Sequence, residues 1–171
     1  TYTVTDGTNT DIGYIEMNTT SAVTKDGIVS GTSGNDTIDT SYLGDPDGDR
    51  VDNNDATGVQ GTTGNADVIY AGAGNDSVVA GAGNDIIDAD SGDDTVFGGA
   101  GDDKATLGSG NDIFGTYNAD SAGNDTVYGD GGNDFIITGA GNDQAYGGTG
   151  DDTLSGGIGA DTLSGGDGKD W

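Results

Sequence analysis

Cysteine and histidine are both missing from the 171 residues. Their absence excludes disulfides, thiolate and imidazole metal sites, and every nucleophilic system built on a cysteine or a histidine base. Basic residues are nearly missing too: 4 Lys+Arg stand against 31 Asp+Glu, a formal net charge of -27. Phosphate recognition needs Lys and Arg, so nucleic acid is excluded as a partner. No apolar run approaches the length that spans a membrane. Residues 1–30 lack the basic-then-apolar opening of a signal peptide.

What is present is glycine, 36 residues of it, and aspartate; Glu16 is the one glutamate. So little hydrophobicity with so much like charge predicts a self-repelling, disordered chain unless something positive neutralises it. Against that stands a repeat. From Ala71 the chain reads AGAGNDSVV, AGAGNDIID, ADSGDDTVF, GGAGDDKAT and LGSGNDIFG without a gap. After four inserted residues (116–119) it resumes as DSAGNDTVY, GDGGNDFII, TGAGNDQAY, GGTGDDTLS, GGIGADTLS and the incomplete GGDGKDW. Upstream, GTTGNADVIY (61–70) fits with one extra residue, and GTSGNDTID (31–39) fits in isolation. Position four of each gapless block is Gly, position six is Asp, and position eight is apolar. The last block stops partway, so a continuation beyond residue 171 is expected.

These blocks resemble the RTX (repeats in toxin) nonapeptide Gly-Gly-x-Gly-x-Asp-x-U-x, where U is a large apolar residue. Position one departs from it most often. The resemblance implies an all-β chain: a right-handed parallel β-roll, or solenoid, with two nonapeptides per coil. The positions agree. Glycines at one to six permit positive φ and close backbone approach, and Asn or Asp at position five tolerates the left-handed region. Positions seven to nine predict a short strand whose middle side chain points inward. That places Ile69, Val78, Ile87, Val96, Phe114, Val127, Ile136, Leu154 and Leu163 in one thin core. With two blocks per coil, Asp76 meets Asp94 and Asp85 meets Asp103.

Stacked aspartates repel when ionised, and a divalent cation between them reverses the sign. Calcium fits, because it takes six to eight oxygen ligands, backbone carbonyls included; magnesium wants a stricter octahedron, and zinc prefers the missing His and Cys. Several Ca2+ ions are therefore expected. By resemblance to the family, the carboxylates come from position six: Asp67, Asp76, Asp85, Asp94, Asp103, Asp112, Asp125, Asp134, Asp143, Asp152 and Asp161, with Asp36 and Asp170 as outlying members. Turn carbonyls complete the shell, around Gly72, Gly74, Gly81, Gly83, Gly92, Gly99, Gly101, Gly110, Gly132, Gly141, Gly148, Gly150, Gly157 and Gly159.

Outside the roll (61–171), residues 1–30 read as an N-terminal β-hairpin, with TYTVT, the turn DGTN and a return over DIGYIEM. It either caps the roll or pairs with another subunit. Residues 31–60 hold the isolated first repeat and an acidic insert. There Asp45, Asp47 and Asp49 have the opening spacing of an EF-hand loop, loosely similar to thrombospondin type 3 repeats, but Ala56 stands where the bidentate Glu belongs. They are an extra metal site or a solvated loop. Gly81-Ala82-Gly83 lacks the third glycine and the lysine of a phosphate loop. Outward-facing Tyr70, Tyr128 and Tyr146 fall on one side, with Val79, Phe97 and Ile137 on the other. Position three carries no regular threonine ladder of the kind an ice-binding face needs.

No catalytic constellation is visible, and the chain is expected not to be an enzyme. Two functions are compatible with these residues. One is a structural, adhesive or self-assembling surface or fibre unit of a secreted, extracellular bacterial protein, exported by type I secretion as the family implies. Its partners are calcium, copies of itself or other cell-surface components, with no nucleic acid and no membrane span. The other is the calcium-folding tail of a secreted enzyme or toxin (protease, lipase, epimerase) whose catalytic domain lies outside this chain.

Overall fold

A computed structural model describes residues 4–5, 10–11, 28–39, 41–44, 51, 66–115 and 122–171. Every described strand outside one small hairpin belongs to one of two parallel sheets. The first, in spatial order, contains Ile28–Ser30, Val68–Tyr70, Ile86–Asp88, Lys104–Ser109, Thr126–Gly131, Gln144–Thr149 and Thr162–Asp167. The second contains Thr37–Ile38, Ser77–Ala82, Thr95–Ala100, Ile113–Phe114, Phe135–Ile137 and Thr153–Ser155. Successive strands alternate between the sheets, so each pairs with the strand two blocks away: Val78 with Val96, and Ile87 with Ala105. The fold is a parallel β-roll with two nonapeptides per coil.

The register explains the sequence pattern. Position eight points inward throughout, and Val29, Ile38, Ile69, Val78, Ile87, Val96, Phe114, Val127 and Ile136 are buried, as are Ala105 and Ala145. Leu154 is only half-buried and Leu163 is exposed, because both belong to the outermost coils, where the stack thins. The expectation of a three-residue strand needs correction. Six of the strands, such as Ser77–Ala82, continue through positions one to three of the next block. Because side chains alternate along a strand, position one then joins position eight on the inner face. Ala80 and Leu107, on such strands, and Ala71, Ala89 and Thr138, just past the ends of shorter ones, form this second buried set. Its one hydroxyl is satisfied, with Thr138 Oγ1 donating to the Gly156 carbonyl at 3.2 Å.

Interruptions in the sequence do not interrupt the stack. Residues 31–39, forty positions before their partners, pair Thr37 with Ser77 and Ile38 with Val78, so the first repeat is a rung of the roll and not isolated. Ile28–Ser30 likewise pairs with Val68–Tyr70, which carries the roll into the segment read from sequence as N-terminal. Across residues 116–121 the pairing resumes in register, Ala105 with Val127 and Phe114 with Ile136. From the acidic insert, Tyr42 and Val51 join the apolar core, and the Tyr42 hydroxyl donates to the Ser30 carbonyl at 3.1 Å. Val4–Thr5 pairs antiparallel with Thr10–Asp11. Asp45, Asp47 and Asp49 lie outside the described residues, as does the rest of the N-terminal segment.

Candidate metal centre

The turns between the sheets are shaped by glycines at positions two and four, as the sequence suggested, while position five, also read as tolerating the left-handed region, stays outside it among the described residues. Position two takes a φ between 83° and 110° at Gly72, Gly81, Gly99, Gly148, Gly157 and Gly166, and among the described residues Asp90 and Asp130, at 70° and 67°, are the non-glycines with a positive φ. Position four is left-handed at Gly74, Gly83, Gly92, Gly101, Gly110, Gly132, Gly150 and Gly159; Gly141 is not. Position four also meets the coil below. A Cβ on Gly92 would stand 1.7 Å from the Gly74 carbonyl oxygen, and one on Gly132 would stand 1.4 Å from that of Gly110. No side chain fits, so glycine is invariant there.

The turn delivers each position-six aspartate onto its counterpart one coil away, in two columns. On one edge, the N–H of Asp76 donates to Oδ1 of Asp94 at 2.7 Å, Asp94 to Asp112 at 2.8 Å, Asp112 to Asp134 at 2.9 Å and Asp134 to Asp152 at 2.8 Å. Asp36 begins this column by donating to Asp76, and Asp170 ends it by accepting from Asp152. On the other edge the order is Asp67, Asp85, Asp103, Asp125, Asp143, Asp161. All thirteen position-six aspartates named from the sequence therefore stand in these columns.

In eight of these carboxylates only one oxygen is used. The Oδ2 atoms of Asp76, Asp94, Asp103, Asp112, Asp125, Asp134, Asp143 and Asp152 are buried with no hydrogen-bond partner. A buried, unsatisfied carboxylate oxygen costs several kcal/mol unless a cation meets it. The acidity reports the same stress. Burial, chiefly, raises Asp94, Asp103 and Asp134 to about 6 and Asp112 and Asp125 to about 7; the accepted backbone N–H opposes the rise, and neighbouring carboxylates add to it. Asp36 differs, since Thr32 donates to its Oδ2 through both N–H and Oγ1 at 2.7 and 2.8 Å.

Among the described residues, no three acidic side chains converge on one point. The carboxylates come in successive pairs, so an ion there would take the rest of its shell from backbone carbonyls. A hard cation with many oxygen ligands and loose geometry matches that donor set, which is calcium's preference.

The model of the RTX calcium-binding nonapeptide repeat matches residues 25–41, 61–96, 81–114, 119–145 and 146–171. The chain belongs to the RTX family. RTX repeats bind several calcium ions, and the orphaned carboxylates of this roll are the residues that fit them. Comparison with curated proteins and with solved structures gives no match. No helix among the described residues is long and apolar enough to cross a membrane.

One set of structural residues was missed in the sequence. Position five carries a second ladder, running opposite to the first. Its side chain accepts from the position-five N–H of the following coil, as Asn75 does from Asp93 at 3.2 Å and Asn84 from Asp102 at 3.0 Å. The signal was visible as the near-constant Asn or Asp preceding each aspartate, but it had been assigned to turn conformation. The outward tyrosines are also more ordered than their spacing suggested: Tyr128 and Tyr146 stack with centroids 5.1 Å apart and planes 9° apart.

Proposed function

We propose that this chain is the calcium-folded roll of a secreted bacterial protein and serves a structural or adhesive role at the cell surface, with no chemistry of its own. The observation that carries the calcium part is the column of buried Oδ2 atoms without partners. In this reading the position-six aspartates from Asp67 to Asp161 hold the ions, and the turn carbonyls around Gly72 to Gly159 complete each shell. Asp36 is a weak ligand, because Thr32 already occupies its second oxygen. A structure assembled by its metal binds and folds in one step. Affinity in the weak extracellular range, roughly 10⁻⁴–10⁻³ M, leaves the chain unfolded in a calcium-poor cytosol and folds it outside, which suits export of an unfolded chain.

Far-ultraviolet circular dichroism decides it. In chelator at neutral pH the chain should give a disordered spectrum, and in millimolar calcium a β spectrum; a β spectrum unchanged by chelator overturns the reading. The surface role is tested on cells carrying the protein, by calcium-dependent surface labelling and attachment. Retention of all the protein inside the cell rejects it.

A further inference from the structure

We propose that the side chains at position five form a stacking ladder, separate from the metal column, that couples successive coils, and that Ala160 and Lys169, like Ala66, break it. The inference goes beyond calcium binding, because these side chains are exposed and face one another's backbone.

On one edge the ladder reads Asn35, Asn75, Asp93, Asn111, Asn133, Asp151, Lys169. Each of the first six accepts on Oδ1 from the N–H of the next, at 2.7 to 3.2 Å. On the other edge it reads Asn84, Asp102, Asn124, Asn142, Ala160, at 2.7 to 3.0 Å. Asparagine adds a second bond, Asn124 Nδ2 to Asp102 Oδ1 at 3.1 Å and Asn111 Nδ2 to Asp93 Oδ1 at 3.2 Å. Asp93, Asp102 and Asp151 never adjoin one another in a ladder. With an aspartate already fixed at position six, that spacing keeps a second row of like charges from forming.

The ladder needs an acceptor on one side chain and a backbone N–H on the next. Alanine has no acceptor and a lysine ammonium has only donors. Ala160 and Lys169 donate to Asn142 and Asp151 from the backbone but offer nothing onward. They fall in consecutive blocks, so both edges stop on one coil. At the other end, Ala66 lies in register beneath Asn84 and gives its N–H no side-chain acceptor.

Moving the terminator inward tests this. Asn124 and Asn133 occupy consecutive blocks, as Ala160 and Lys169 do, so Asn124→Ala with Asn133→Lys rebuilds the stop mid-roll. In saturating calcium, amide hydrogen exchange over residues 142–171 should then rise about tenfold or more, the worth of lost coil-to-coil bonds, while residues 67–103 hold their rates. An even rise along the roll, or none, overturns the proposal. The wild-type protein supplies a second reading if the variant does not fold: the Asn84 amide should exchange about tenfold faster than that of Asp102, which has a ladder acceptor. Equal rates reject the ladder.

Discussion

Asp94 accepts the backbone N–H of Asp76 on Oδ1 at 2.7 Å and keeps its other oxygen buried without a partner. One atom of the side chain fixes the spacing between two coils, and the other is left for a ligand. Repeated along both edges, that division of labour lets the same residue serve as a structural rung and, in the proposed reading, as a metal ligand.

Asp112→Asn separates the two duties. The amide oxygen still accepts the Asp94 N–H, while the charge is gone. The calcium concentration at half-folding should rise about tenfold, since ligand charge sets affinity in such sites. Asp112→Ala also leaves the Asp94 N–H unmet, at a further cost of about 1–3 kcal/mol. Asp36→Asn should shift the midpoint least, because Thr32 already satisfies that carboxylate. Equal shifts for Asp36 and Asp112 in a calcium titration followed by circular dichroism would contradict the assignment.

Acidity should replace calcium in part. The raised values, about 6 for Asp94, Asp103 and Asp134 and about 7 for Asp112 and Asp125, lie above the unfolded value of 3.8. The folded, metal-free roll therefore holds protons more tightly than the unfolded chain. Its stability is fully present below pH 3.8 and is lost as pH rises through 6 to 7. In chelator, β signal should grow on acidification from neutrality; in calcium the apparent affinity should fall over the same range, as protons compete for the carboxylates. A metal-free β signal greatest at alkaline pH is the contrary outcome.

The roll was legible because its signals are periodic. Gly at four, Asp at six and an apolar residue at eight follow directly from turn, ligand column and core, and each recurs often enough to fix the phase. Position one was not legible. Its residues, Ala80 and Leu107 among them, differ in chemistry, and nothing local says that the strand runs on far enough to turn them inward. The ladder at position five was read as turn preference, because Asn and Asp suit both roles and only stacking separates them. Residues 31–39 looked isolated because sequence distance hides spatial register: Ile38 and Val78 are forty residues apart and directly paired. Tyr42 and Val51 carried no periodic mark at all, yet they join the core.

Phe114→Ala should be among the most damaging core changes. Phe114 is the largest fully buried side chain among the described residues, and truncating a buried Phe costs about 3–5 kcal/mol. Leu163→Ala occupies the same repeat position on an outer coil, where the side chain is 46% exposed, and should change stability by about 0.5 kcal/mol or less. Urea unfolding in saturating calcium compares them, and similar losses would mean that position eight does not form the core described.

Gly131 and Gly132 are neighbours with opposite tolerances. A Cβ on Gly131 meets nothing closer than the Thr149 hydroxyl at 3.4 Å, and its φ lies outside the left-handed region, so Gly131→Ala should leave calcium-dependent folding almost unchanged. Gly132 has a φ of 133°, and its Cβ would stand 1.4 Å from the Gly110 carbonyl oxygen. Gly132→Ala therefore incurs backbone strain of about 1–3 kcal/mol and also pushes apart two coils whose spacing sets the Asp112–Asp134 contact. The clash is with backbone, which no rotamer change relieves. Calcium should thus bind more weakly to Gly132→Ala, and hydrogen exchange should rise around residues 110–112 and 132–134. Equal behaviour of the two variants in calcium titration would show that position four is not held against the coil below.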